Sequence, residues 1–242
     1  MYLSLADFKK RVEFSLCQQY ATEDDVRTFC EQALSVGVGV ACVNPVNIPL
    51  TVKLLEDRDI EISVNVGFPF GSHLPSIKIL ETRHGVEAGA TQIDMVINVG
   101  ALKSKNDNLV FEDIQGVVEE SRGRTVKTII ETWVLTDEEK VRACRIAEKA
   151  GAAMVKTTTG VLTQYIRAIN SNPIGTTVAD MKLMRQALSP AVKIKASGGI
   201  YTLDFALEVI RAGADQLGMS RGEQIIREFE EVYGDGIEIA AK

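Results

Sequence analysis

Short apolar runs alternate with helix-period segments along the whole chain, and this alternation restricts the fold more than any other feature. The strand candidates are Val12–Cys17, Val38–Val43, Glu61–Val66, Gln92–Val99, Val126–Glu131, Ala153–Lys156, Val192–Lys195 and Asp215–Met219. Most are about four to eight residues long and rich in Val and Ile, as strands buried on both faces require. Helical segments lie between them, among them Glu23–Val36, Ile77–Ala88, Asp113–Ser121, Glu138–Ala150, Val178–Leu188 and Leu203–Ala212. Thr22 with Asp25, Thr136 ahead of Asp137-Glu138-Glu139, and Thr202 ahead of Leu203-Asp204 read as helix starts. Ala88-Gly89-Ala90, Ala150-Gly151-Ala152 and Ala212-Gly213-Ala214 read as helix ends that turn straight into the next strand.

Eight strands with intervening helices and no break in composition predict a closed (β/α)8 TIM barrel, one domain over residues 1–242. A doubly wound open sheet is the structural alternative, but no G-x-G-x-x-G or G-x-x-x-x-G-K-[ST] motif follows any strand. The one long irregular stretch, residues 161–177, falls where a barrel places its substrate-facing loops. With 242 residues, 45% hydrophobic and 25% charged, the chain can bury a substantial core. A net charge of −6 gives no reason to expect nucleic acid or an anionic membrane as partner. No apolar run approaches the ~20 residues needed to span a bilayer, and the N-terminus lacks a leader's apolar core. Cys17, Cys30, Cys42 and Cys144 show no paired spacing, which predicts reduced thiols and a cytoplasmic protein. His73 and His84 are the only histidines, so no metal site is expected.

Two lysines carry the chemistry. Lys156 ends one strand candidate and leads into Thr157-Thr158-Thr159-Gly160; Lys195 ends the next and leads into Ala196-Ser197-Gly198-Gly199. On a barrel the two are neighbours at one mouth. Burial disfavours the charged form of each, and two ammoniums ~4 Å apart repel by roughly 4 kcal/mol at an effective dielectric of ~20. That suffices to bring a lysine from ~10.4 toward neutrality, the state in which an amine attacks a carbonyl. Asp94, inside the fourth apolar run, is either a structural ion-pair partner or a proton shuttle. Gly198, Gly199 and the Gly218-Met219-Ser220-Arg221-Gly222 turn suit a phosphate, which barrels often hold after strands seven and eight. Arg221 is either a bidentate phosphate contact or a surface charge. Cys42 reads as a packed thiol near the mouth, and Trp133 as either a pocket wall or loop packing. Lys127 either points into the barrel or pairs with Glu131.

Six stretches resemble deoxyribose-phosphate aldolases, class I aldolases on a (β/α)8 barrel. They are Cys42-Val43-Asn44-Pro45, Val66-Gly67-Phe68-Pro69, Ile93 to Leu102, Lys127 to Thr132, Val155 to Gly160 and Lys195 to Ile200. They occur in family order, across roughly residues 13 to 225. The resemblance implies that Lys156 forms a Schiff base and that Asp94 and Lys195 assist proton transfer. It implies phosphate binding by Gly160, Gly198, Gly199, Gly218, Ser220 and Arg221, and a pocket that includes Glu13, Cys42 and Lys127. The implied substrate is 2-deoxyribose 5-phosphate, with no cofactor, and the implied assembly is a homo-oligomer, a dimer. The chain departs from the family at four places. Glu13-Phe14-Ser15 stands for Asp-His-Thr, Thr158 for Ser, and Met219 for Thr or Ala, while the segment after Gly160 is longer than usual. Two alternatives follow from these departures. One is the same imine chemistry on another phosphorylated or acidic sugar derivative; the other is a non-catalytic barrel that binds a sugar phosphate.

Overall fold

A computed structural model describes residues 1–161, 168 and 175–239; most of the irregular 161–177 stretch therefore lies outside the described residues. Eight parallel strands close into a barrel: β2 (Val12–Leu16), β3 (Val40–Val43), β4 (Glu61–Val66), β5 (Gln92–Val96), β6 (Thr125–Ile129), β7 (Met154–Lys156), β8 (Lys193–Ser197) and β9 (Gln216–Gly218), with β9 pairing back onto β2. The predicted barrel is the observed one. Outside it pack α2 (Glu23–Val36), α4 (Pro75–Glu87), α6 (Asp107–Glu120), α7 (Asp137–Lys149), α8 (Val178–Ala187), α9 (Leu203–Arg211) and α10 (Gly222–Tyr233).

The helix starts are those the sequence marks. Thr22 with Asp25 and Thr136 with Glu139 form complete capping boxes, and Thr202 accepts from Phe205 N. Gly89, Gly151 and Gly213 take φ of +104°, +89° and +112°, a backbone that favours glycine and swings the chain from helix to strand. Several short elements were not legible: β1 (Tyr2–Ser4), α1 (Leu5–Arg11), α3 (Ile48–Leu54), α5 (Val99–Lys103) and β10 (Gly236–Glu238). Such pieces hold too few residues to show a period. Tertiary packing supplies their stability instead: β1 pairs antiparallel with β10, and Phe8 of α1 stacks on Phe229 of α10 at 4.6 Å. The Gly39 N–H bonds to Lys9 O, and Arg11 reaches Ala214 O and Asp215 O, so this N-terminal piece covers the end of the barrel opposite the mouth.

Inside a barrel, side chains from alternate strands stack in layers of four, and branched aliphatics dominate. Here two successive layers carry charged side chains. Glu13, Ser63, Lys127 and Lys195 come from β2, β4, β6 and β8; Cys42, Asp94, Lys156 and Gly218 come from β3, β5, β7 and β9. The apolar core lies between the strands and the outer helices. Phe14 explains one departure noted above. Its side chain lies outside the barrel, where its Cε1 is 2.4 Å from the position of a Cβ on Gly222. A His at position 14 would therefore face a helix, not the mouth. Gly222→Ala should cost about 1–3 kcal/mol by overpacking this contact, a loss that urea unfolding would read as a lower midpoint at unchanged slope.

Candidate active site

The five charged residues of these two layers form one ion cluster. Lys156 Nζ donates to Asp94 Oδ2 at 2.5 Å, and Lys195 Nζ donates to the same oxygen at 2.8 Å. Lys195 also donates to Glu13 Oε1. Lys127 lies 2.6 Å from Glu13 Oε2 and 2.7 Å from Asp94 Oδ1. Ser63 Oγ donates to Asp94 Oδ1 at 3.0 Å and receives Lys127 at 3.3 Å. The side chains of Glu13, Asp94, Lys127 and Lys195 are 0% exposed, whereas Lys156 is 4% exposed. Lys156, the last residue of β7, is thus the ammonium that reaches the mouth.

Two sequence expectations change here. Lys195 does not close its strand: β8 continues to Ser197, which places Lys195 one layer deeper than Lys156. Nor does mutual repulsion lower both lysines. Burial disfavours all three ammoniums, but attraction to Asp94 and then Glu13 outweighs it at Lys156 and Lys127, holding both above the ordinary lysine range. At Lys195 burial prevails, because repulsion from Lys127 and Lys156 offsets the same carboxylates, and its pKa is pushed down to about 8. Burial also works against charge on Asp94 and Glu13, but the lysines hold both carboxyls below their ordinary values, Asp94 far below. Three ammoniums facing two carboxylates leave one positive charge in excess, and Lys195 is where the cluster most readily sheds a proton.

Of the alternatives for Lys127, the barrel interior is the one realised; its partners are Glu13 and Asp94, not Glu131. Cys42 is fully buried, and its thiol donates to Asn65 Oδ1 at 3.4 Å. Hydrogen bonding with Cys17 and then burial raise its pKa well above the thiol range, which makes it a poor nucleophile. Glu13, Cys42 and Asp94 bring three ligand atoms within 4.8 Å, but both carboxylates already carry lysine partners. Ser63 and Asn65 belong to the site and were missed. Their signal was present: polar residues at every second position of the otherwise apolar Ile62-Ser63-Val64-Asn65-Val66 face the barrel axis.

The glycine-rich turns lie beside this cluster. Gly160, Gly198 and Gly199 have φ of +76°, +86° and +77°. A Cβ on Gly198 would stand 2.8 Å from Thr158 Oγ1 and 3.3 Å from Trp133 Cζ2, so Trp133 packs at this turn. A Cβ on Gly218 would stand 2.6 Å from Ser197 Oγ and 3.5 Å from Lys195 Cε. Ser220 and Arg221 are exposed at the start of α10, which no side chain caps. Arg221 lies over the Tyr201 ring, 5.5 Å from its centroid. Met219 is buried in the core, so this departure changes packing behind the turn more than the turn's open face. A groove of about 710 Å³ runs from Ser220 and Arg221 outward between α2 and α10, past Gln32, Arg227, Glu228 and Glu231. No helix among the described residues is long and apolar enough to cross a membrane.

Comparison with known proteins agrees with this geometry. The chain is 42% identical over 226 residues to the deoxyribose-phosphate aldolase of Streptococcus sanguinis, which covers 93% of this chain and 98% of that protein. It is 47% identical over 206 residues to that of Methanothermobacter thermautotrophicus, covering 85% and 88%. The solved deoxyribose phosphate aldolase of Aeropyrum pernix, described as tetrameric, matches with a TM-score of 0.83 at 28% identity, over 95% of this chain and 93% of that one. The family model for DeoC/LacD family aldolases matches residues 6–228. A barrel with lysines in its axis, and a family match over nearly all of its length, make this chain a member of the DeoC/LacD aldolase family.

Proposed function

We propose that the protein is a class I aldolase, a lyase that cleaves 2-deoxyribose 5-phosphate to glyceraldehyde 3-phosphate and acetaldehyde. The observation that carries this reading is the sharing of Asp94 Oδ2 by Lys156 and Lys195. A proton passes from Lys156 through Asp94 to neutral Lys195, leaving a free amine on the lysine nearest the mouth. That amine attacks the C1 aldehyde of the open-chain sugar; Lys195, through Asp94, returns its proton to the departing hydroxyl, so that loss of water gives a protonated imine and leaves Lys195 neutral again. Asp94 and Lys195 then take the C3 hydroxyl proton, directly or through a water. The C2–C3 bond breaks, its electron pair flows into the imine, and glyceraldehyde 3-phosphate departs. Protonation of the remaining two-carbon enamine and hydrolysis release acetaldehyde and restore Lys156. The imine is the electron sink, so the chemistry calls for no cofactor.

The phosphate is assigned to the corner formed by Gly160, Gly198, Gly199, Gly218, Ser220 and Arg221. The uncapped α10 N-terminus supports this assignment, because free N–H groups and the helix dipole favour an anion. We also place the enzyme in the cytoplasm as a homo-oligomer, a dimer. Release of glyceraldehyde 3-phosphate from 2-deoxyribose 5-phosphate, followed in a coupled assay, tests the reading. Condensation of acetaldehyde with a panel of other acceptor aldehydes, but not with glyceraldehyde 3-phosphate, would move the substrate elsewhere.

The proton acceptor sets the pH dependence. Lys195 must be neutral to accept, and its pKa is about 8. Below that value the cluster has no free base, so kcat/KM should fall about tenfold per pH unit on the acid side and level off above about 8. Lys195→Met should remove this limb; a limb that stays in place would assign it to another group.

A further inference from the structure

Glu131 follows β6 and stands directly beside the turn that leaves Lys156. Its backbone is left-handed, φ +58° and ψ +63°, a region unusual for a residue with a side chain. The residue is 7% exposed, and no salt bridge reaches its carboxylate among the described residues. What it does hold is Thr159. Thr159 Oγ1 donates to Glu131 Oε2 at 2.7 Å, and the Thr159 N–H points between both carboxylate oxygens at 3.4 Å. On either side of Glu131 the backbone is tied to the same turn, through Ile130 N to Lys156 O at 3.0 Å and Thr132 N to Thr157 O at 2.9 Å.

The turn held in this way is braced from its other side as well. Thr158 Oγ1 donates to Ser197 O at 2.8 Å and receives Gly160 N at 3.1 Å. Thr158 and Trp133 together close off the space beside Gly198. Backbone strain at a non-glycine persists only where its surroundings enforce it, and such sites cluster where geometry matters for function. A buried acidic side chain spent wholly on one threonine of a glycine-containing turn answers that description. Burial pushes its pKa up to about 7, against the pull of Thr159 and Lys156.

We propose that Glu131 is a positioning residue for the phosphate end of the substrate, holding the Thr157–Gly160 turn against the Gly198–Gly199 loop through Thr159. This rests on the reading of the protein as a 2-deoxyribose 5-phosphate aldolase. Glu131 itself touches neither the reacting carbons nor the phosphate; it sets where Gly160 sits.

The test compares 2-deoxyribose 5-phosphate with unphosphorylated 2-deoxyribose in the wild type, Glu131→Met, Thr159→Val and the double variant. Assayed above pH 8, where Glu131 is ionised, losing this hydrogen bond should raise KM for the phosphorylated sugar roughly tenfold in each single variant, with kcat within about threefold. kcat/KM for the unphosphorylated sugar should stay near the wild-type value. The double variant should be no worse than either single one, because both remove the same contact. Equal losses on both sugars, an additive double variant, or an unchanged KM would overturn the assignment. If Glu131→Met does not fold, Thr159→Val alone still decides, since it removes the hydroxyl donor and leaves the strained residue intact. A wild type with no turnover of 2-deoxyribose 5-phosphate would sink the functional reading and this inference with it; an active wild type with unaffected variants would sink this inference alone.

Discussion

Lys156→Ala is expected to lower turnover of 2-deoxyribose 5-phosphate by a factor on the order of 10⁴ or more, the scale on which enzymes lose rate without their nucleophile. The variant should remain folded, and charge balance is the reason. Removing one of three ammoniums leaves Lys127 and Lys195 facing Glu13 and Asp94, an even match in a fully buried site. Borohydride reduction in the presence of the sugar phosphate, followed by peptide mapping, checks the chemistry. Wild type should carry a reduced adduct on Lys156, as the whole sugar phosphate or as its two-carbon fragment, and Lys156→Ala should carry none. An adduct on Lys195 would exchange the roles of the two lysines. Turnover without any trapped adduct would remove the imine mechanism altogether.

Asp94→Asn should do the opposite to the fold. It leaves three ammoniums with one carboxylate in a site closed to solvent, and breaking a buried pair in this way costs about 3–5 kcal/mol. For a chain of this size that is a Tm lower by about 10 °C. Activity should disappear as well, because among the described residues Asp94 Oδ2 is the atom that both Lys156 and Lys195 reach. Thermal unfolding of Asp94→Asn beside Lys156→Ala gives the comparison. If the aspartate variant is as stable as the lysine variant, the ion cluster is not arranged as described. If it is unstable but retains turnover, proton transfer takes another route.

The two variants show why a buried cluster of five charged groups is informative. Such a cluster is expensive to desolvate, and an aliphatic layer would stabilise a barrel better. Its retention in the barrel axis makes sense when one of its protons must move. Glu131 is a comparable case: its left-handed backbone and buried carboxylate, spent on Thr159, are costly features that its place beside the Lys156 turn accounts for.

Much of this was legible in the sequence, because strand and helix periodicity are local. The runs Glu61–Val66 and Glu23–Val36 stand as β4 and α2 with the same bounds, and the threonine caps sit where the residue types put them. α10 was legible too, through Ile225, Ile226, Phe229 and Tyr233 at helical spacing, although it was not singled out. Lys156, Lys195 and Asp94 stood out for a simple reason: a charge within an apolar strand needs a partner.

What the sequence could not reveal was which partner each charge takes, since that depends on residues far apart along the chain. Glu13 lies 182 positions from Lys195, yet barrel closure through β9 and β2 sets them in contact. Register put Lys195 inside β8 rather than at its end, and Lys127 in the axis rather than beside Glu131. Strand periodicity shows that a residue alternates between two faces; only the closed ladder settles which side chains share a layer. The sequence by itself determined the barrel, the strands that carry the charges and the family to which the chain belongs. Tertiary structure alone decided that three lysines share two carboxylates. It also decided which lysine is most easily discharged, because desolvation and Coulomb repulsion depend on distances that no local pattern encodes.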